Sequence, residues 1–213
     1  MRLEEPRTEH GLAPGQIVYV IDDDGDLRRS LHFLLETRDI CVSPYSSGLQ
    51  FLRELDSLKP APILLDIRMP QMDGTQVLHE LASRGISWPV IMLSGHGEVG
   101  LAVQSLKAGA IDFLEKPVSA KDLLGAIETA FRHLAQQVAA QDTRGDAARR
   151  LGLLTPREVE VLDHLCEGRS NKQVAFDLSI SPRTVEMHRA NALRQLNVRS
   201  LVEAAAVRTA AAV

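Results

Sequence analysis

Cysteine is scarce in this sequence, long apolar runs are absent, and neither sign of charge dominates. The two cysteines, Cys41 and Cys166, lie far apart with no His or Cys at metal-ligand spacing. That excludes a disulfide framework, and two reduced, buried thiols are expected. No stretch approaches the roughly 20 apolar residues of a membrane span. The first residues carry charges and Pro6 where a secretory signal would be apolar. A cytoplasmic protein with no membrane partner is expected. A net charge of −4 has the wrong sign to mark the whole chain as a polyanion binder.

What is present suits two soluble domains. A length of 213 residues fits a pair of average domains, and 45% hydrophobic with 24% charged residues allows each a packed core. The small net charge conceals an asymmetry. From Arg150 onward nine Lys and Arg face seven acids, so the tail is +2 and the rest −6. An acidic front and a mildly basic tail imply different tasks.

The front is organised around Pro62-Ile-Leu-Leu-Asp66, which runs into a loop containing Pro70 and Gly74. A short apolar run closed by turn residues predicts a strand buried on both faces, with Asp66 at its carboxyl end. Further strands are predicted at 17–21, 41–45, 90–93 and 111–114, alternating with helical patterns at 27–36, 49–55, 77–81 and 99–108. Ser119 opens another helix with a Ser-x-x-Asp cap. Five βα units predict a doubly wound α/β sheet with ligands at its carboxyl edge. Asp22, Asp23 and Asp24 follow the first strand, Asp66 the third, Ser94 the fourth and Lys116 the fifth. Singly, an Asp triplet is a solvated turn and a Lys before Pro a surface residue. Their joint place at one sheet edge is what points to a site. Clustered carboxylates call for a cation, and Mg²⁺ takes carboxylates, phosphate and water. Asp22 and Asp23 are the metal-side acids, and Asp66 is the candidate nucleophile for a phosphoryl group. Ser94 can donate a hydrogen bond to a phosphoryl oxygen, and Lys116 can neutralise its charge.

Asp22-Asp23, Asp66 with Met69-Pro70 and Gly74, Ser94, and Asp112-Phe113-Leu-Glu-Lys116-Pro117 together resemble the receiver domain of bacterial response regulators. The resemblance covers about the first 130 residues. It implies a flavodoxin-like fold, phosphotransfer from a sensor histidine kinase to Asp66, and Mg²⁺ held by Asp22, Asp23, Asp66 and the backbone carbonyl of Arg68. It also implies a switch in which Ser94 moves toward the phosphoryl group and Phe113 turns inward. Phe113 stands where many relatives carry Tyr, which excludes a hydroxyl-mediated version of that switch. By the same resemblance Val103 and Lys107 lie on a receiver dimer surface.

The tail begins after a helix whose apolar residues run from Leu123 to Val138. Residues 142–150 have no apolar period and are expected to be linker. Thr155-Pro-Arg-Glu158 and Ser170-Asn-Lys-Gln173 are capping boxes, Ser181-Pro182 starts a third helix and Ser200 a fourth. This is a helix-turn-helix pattern. On the third helix Arg183, Glu186, Met187, Ala190 and Arg194 share the face opposite Val185 and Leu196 and are placed for a major groove. Lys172 and Thr184 suit phosphates, and Arg189 is a further expected DNA contact. The motifs from Leu154 to Asn191 resemble the LuxR/FixJ-type DNA-binding domain. That family pairs through its fourth helix, which here points to Leu201, Val202 and Ala205.

The expected organisation is a disordered N-terminus over 1–15, a receiver over 16–137, a linker over 138–150 and an all-α LuxR-type helix-turn-helix domain over 151–213. The expected function is that of a FixJ-like response regulator: a phospho-acceptor that assists its own phosphorylation and dephosphorylation, not an enzyme in its own right. It would form a homodimer on phosphorylation and bind promoter double-stranded DNA, with RNA polymerase a further candidate partner. A haloacid-dehalogenase-type phosphatase is the rival reading, but it wants a second Asp where Arg68 stands. A third reading keeps the DNA-binding role and makes the receiver a phosphorylation-independent dimer module.

Overall fold

The computed structural model describes residues 15–95 and 99–212. All but one residue of the expected disordered N-terminus lies outside that range. The chain forms two compact units, residues 1–136 and 137–213.

In the first unit five parallel strands lie in the order β2-β1-β3-β4-β5. They are β1 (Ile17–Ile21), β2 (Cys41–Tyr45), β3 (Ile63–Asp66), β4 (Val90–Ser94) and β5 (Asp112–Glu115). The helices between them are α1 (Gly25–Glu36), α2 (Gly48–Glu54), α3 (Gly74–Ser83) and α4 (Val99–Lys107). Alternation along each strand divides the core. Tyr19, Ile21, Ile63, Leu65 and Met92 face Phe51, Val77, Leu78 and Leu81 of α2 and α3. Val18, Val20, Leu64, Ile91 and Leu93 face Leu31 and Leu35 of α1 and Leu123, Ile127 and Ala130 of α5 (Ala120–Leu151). The buried residues of β3 are apolar up to Asp66, as a central parallel strand requires. This strand order reverses direction between β1 and β3, which places a crevice at their carboxyl ends.

Two residues fix the edge loops. Asp24 caps α1, its side chain accepting from the N–H groups of Asp26 and Leu27. Gly74 opens α3 so close to β3 that a Cβ there would lie 2.2 Å from the Asp66 carbonyl oxygen. Any other residue would push the loop off the strand end.

In the second unit the last turns of α5 join α6 (Pro156–Cys166), α7 (Asn171–Asp177), α8 (Pro182–Gln195) and α9 (Leu201–Ala212). Both expected capping boxes form, and Ser181 caps α8 through the Thr184 N–H. Val161, Leu165, Val174, Ala175 and Val185 make one small core. Leu154, Leu162, Ala192, Leu196 and Ala204 make another.

Two expectations are corrected. Residues 142–150 are helical, continuing α5 to Leu151. Helix formers and the Asp146–Arg149 and Asp146–Arg150 pairs at 2.5 and 3.5 Å support a helix that needs no apolar period of its own. Ala147 in this stretch is buried, so the end of α5 belongs to the second unit's packing. The cysteines are free, but Cys41 is exposed and Cys166 half-buried. Cys41 starts the edge strand β2, where one flank of the sheet is open. Among the described residues, no helix is long and apolar enough to cross a membrane.

Candidate functional site

The carboxyl ends of β1 and β3 bring Asp22, Asp23 and Asp66 together, one oxygen of each lying within 4.8 Å of the others. Asp22 is fully buried, Asp66 nearly so, and Asp23 exposed. Lys116, just beyond β5, reaches across the strand ends. Its Nζ stands 2.7 Å from Asp22 Oδ2 and 2.6 Å from Asp66 Oδ1. Asp22 Oδ1 accepts from the Asp24 N–H at 2.8 Å, which leaves the side chain fixed. Burial, and then the negative charges of Asp22 and Asp23, push the Asp66 carboxyl up to about 6, against the lowering effect of Lys116. Burial lowers Lys116, but its hydrogen bonds to Asp22 and Asp66 outweigh that and hold it above the usual lysine value. The three acids are an all-oxygen donor set whose repulsion one ammonium only partly relieves. A small hard cation fits such a set.

Ser94 is buried at the end of β4, and its carbonyl accepts from the Lys116 N–H at 2.8 Å. The register Asp66↔Leu93 and Ser94↔Glu115 sets Ser94 beside both β3 and β5 at the acid edge. Arg68 follows in the loop after β3, whose start is tied by the Ile67 N–H to the Leu93 carbonyl at 2.9 Å. Phe113 is 37% exposed on β5, and α4 exposes Val103 at 46%, Leu106 at 39% and Lys107. An apolar strip thus faces outward along α4 and β5.

The sequence reading missed Arg28. Its guanidinium donates to the Asp22 carbonyl and so ties α1 to the acid loop. Gly25, Arg28, Arg29, His32, Phe33 and Pro44 line a groove of about 490 Å³ there, with Phe33 largely exposed. The helical pattern over 27–36 said nothing of a ring left outside.

In the second unit α8 keeps Val185 and Ala192 inside. Its opposite face exposes Arg183, Glu186, Met187, Ala190 and Arg194, with Arg189 half-buried. Thr184 is half-buried, its Oγ1 at 2.8 Å from Ser181 Oγ, and Lys172 stands exposed on α7. The three residues expected at a pairing surface separate. Val202 is 81% exposed, Ala205 is half-buried, and Leu201 turns inward against both small cores. Leu201 is therefore a packing residue first.

Comparison with known proteins accords with both units. The family described as "Response regulator receiver domain" matches residues 18–128. The family described as "Bacterial regulatory proteins, luxR family" matches residues 152–208. The transcriptional regulatory protein FixJ of Azorhizobium caulinodans is 42% identical, over 87% of this chain and 88% of its own length. Among solved structures, the response regulator StyR superposes with a TM-score of 0.80 at 33% identity, over 92% of this chain and 98% of that one. Full-length FixJ from B. japonicum superposes with a TM-score of 0.59 at 36% identity, over 94% and 98%.

Proposed function

This chain belongs to the response-regulator family, as a FixJ-like transcriptional regulator with a receiver domain and a luxR-type DNA-binding domain, and on that premise we propose that Asp66 is its phospho-acceptor. The observation that carries the assignment is the triad of Asp22, Asp23 and Asp66 bridged by Lys116. A receiver implies a histidine kinase as donor, and the luxR-type domain implies DNA as target. These matches replace the phosphatase reading.

In the proposed transfer a carboxylate oxygen of Asp66 attacks the phosphorus of a phosphohistidine. The P–O bond forms as the P–N bond breaks, and the imidazole leaves with a proton. A carboxyl that titrates near 6 is mostly ionised at neutral pH and so can act as nucleophile. Asp22, Asp23, Asp66 and the Arg68 carbonyl would hold Mg²⁺. When bound, the ion offsets charge on the phosphoryl oxygens. Lys116 gives up its contact with Asp66 and meets a phosphoryl oxygen instead. Ser94 donates to another, and its displacement lets Phe113 turn in from its exposed position. The kinase approaches along the groove at α1, which opens beside the acid loop and offers Phe33 as an apolar anchor.

The repacked α4–β5 face, including Val103 and Lys107, then pairs two receivers. In the second unit α8 enters the major groove. Arg183, Glu186, Met187, Ala190 and Arg194 lie at base edges or neighbouring phosphates, and Lys172, Thr184 and Arg189 contact backbone. Val202 and Ala205 of α9 pair the DNA-bound units. Incubation with acetyl phosphate and Mg²⁺ should add one phosphoryl group by intact mass, none to Asp66→Asn, and none when a chelator is present. Equal labelling of wild type and Asp66→Asn would sink the assignment.

A further inference from the structure

The end of α8 is held by an arginine from outside the helix-turn-helix. α8 closes in a Schellman turn at Asn197, whose backbone is left-handed with φ 51°. The Asn197 N–H bonds the Arg194 carbonyl at 3.0 Å, and the Val198 N–H bonds the Leu193 carbonyl at 3.0 Å. That turn leaves the carbonyls just beyond it facing outward, where the helix dipole concentrates partial negative charge. Arg150 fills the position. Its Nη2 donates to the Leu196 carbonyl and lies 3.4 Å from the Asn197 carbonyl.

Arg150 is itself held. Its side chain is 27% exposed and its Nη1 stands 3.5 Å from Asp146, one helical turn earlier on α5. Its neighbour Leu151 packs on the core that contains Ala192 and Leu196. At the other end of α8, Arg157 Nη2 donates to the Leu178 carbonyl at 2.6 Å, in the turn that leads into the helix. Arginines from α5 and α6 therefore tie the end of α8 and the turn that precedes it. A guanidinium does this better than an ammonium, because one arm of its planar fork, Nη2, reaches the carbonyls while the other, Nη1, faces Asp146.

We infer that Arg150 is a positioning residue for DNA recognition: by capping α8 from the last turn of α5, it fixes the angle at which the exposed face of α8 is presented to the groove. Unwinding the end of α5 would remove the cap, so the order of that turn and the affinity for DNA are linked. The inference rests on the reading of α8 as the recognition helix. Arg150 is not assigned a phosphate, since its Nη2 is turned to the two carbonyls and its Nη1 to Asp146.

The test uses the full-length phosphorylated chain and fluorescence anisotropy. One duplex is selected from a random-sequence pool by the wild type, and the other is a scrambled duplex of equal length. Arg150→Ala should weaken the selected duplex about tenfold, the worth of a charge-assisted bond, and the scrambled one much less. The slope of log affinity against log salt should not change. Arg150→Lys should recover part of the loss, through one carbonyl. Should Arg150→Ala melt below the assay temperature, Asp146→Ala, which loosens Arg150 without removing it, should give a smaller loss of the same pattern. A slope reduced by about one per subunit would make Arg150 a phosphate contact and overturn the inference. Equal losses on both duplexes would also overturn it, as general destabilisation. A Glu186→Ala control separates the two readings. If Arg150→Ala binds like wild type while Glu186→Ala shifts base preference, this inference alone fails; if neither changes anything, the reading of α8 fails with it.

Discussion

Asp66 shows what placing the proposed nucleophile costs. Its carboxyl titrates near 6 instead of 3.8, because burial and two neighbouring acids disfavour the charge more than Lys116 favours it. A raised carboxyl means that the folded chain binds more protons than the unfolded one between those two values. Stability therefore falls as pH rises through that interval, and above about 6 the ionised Asp66 opposes folding by about 1–3 kcal/mol. Asp66→Asn removes the titration while keeping an oxygen for Lys116. Its melting temperature should exceed that of the wild type by several degrees at pH 8, with the gap opening between about pH 4 and 6 and constant above. Mg²⁺ should narrow the gap, since a cation beside three acids favours the ionised form. Thermal melts of both proteins across pH, with and without Mg²⁺, decide the matter. A gap that widens toward acid would contradict the assigned direction.

At the scale of elements, what the sequence disclosed and what it withheld have different physical origins. Asp22, Asp66 and Ser94 were legible because each follows an apolar run directly, and Lys116 because it comes just past the fifth strand; a parallel sheet sends all such positions to one edge. The capping boxes at Thr155 and Ser170 were legible because they are local in the chain. Arg28 on Asp22 and Arg150 on Leu196 were not, since a long side chain bonding a carbonyl leaves no period or spacing to read. The helix across 142–150 was missed for a related reason: it is held by side-chain pairs and by packing in the second unit, not by a stripe of its own. Across α7 and α8 the roles of single residues separate by salt. Lys172→Ala should weaken binding about equally across operator variants and lower the salt slope by about one per subunit. Glu186→Ala should instead change which bases are tolerated, by about 1–3 kcal/mol at the affected position. Titrating both mutants against single-base operator variants at two salt concentrations measures this. Uniform effects from Glu186→Ala with selective ones from Lys172→Ala would mean that α8 lies in the groove differently.

For the whole molecule the question is how a phosphoryl group on one unit changes DNA binding by the other. The proposed pairing would answer it without altering any DNA contact. α4 and β5 already expose Val103, Leu106 and Phe113, an apolar strip that a second receiver would cover. Once two chains are joined there, the second DNA-binding unit meets its half-site at the effective concentration set by its tether, and avidity rises by about 10²- to 10⁴-fold. The operator should then hold two half-sites about one helical turn apart, so that both copies of α8 meet the same side of the duplex. Three comparisons test this account. Phosphorylation should double the mass in light scattering for the wild type, whereas Asp66→Asn stays single. Val103→Asp should still accept a phosphoryl group but remain single, because a charge at the centre of the strip must be desolvated to pair. On DNA, phosphorylation should raise wild-type affinity for a two-half-site duplex by at least about tenfold and leave a single half-site almost unchanged, since avidity needs both sites. A fragment from residue 137, which keeps both small cores of the second unit, should bind the two-half-site duplex weakly and independently of acetyl phosphate. If phosphorylation strengthened single half-site binding as much as paired binding, the receiver would be acting on the DNA-binding unit of its own chain, and pairing would be a consequence of activation instead of its cause.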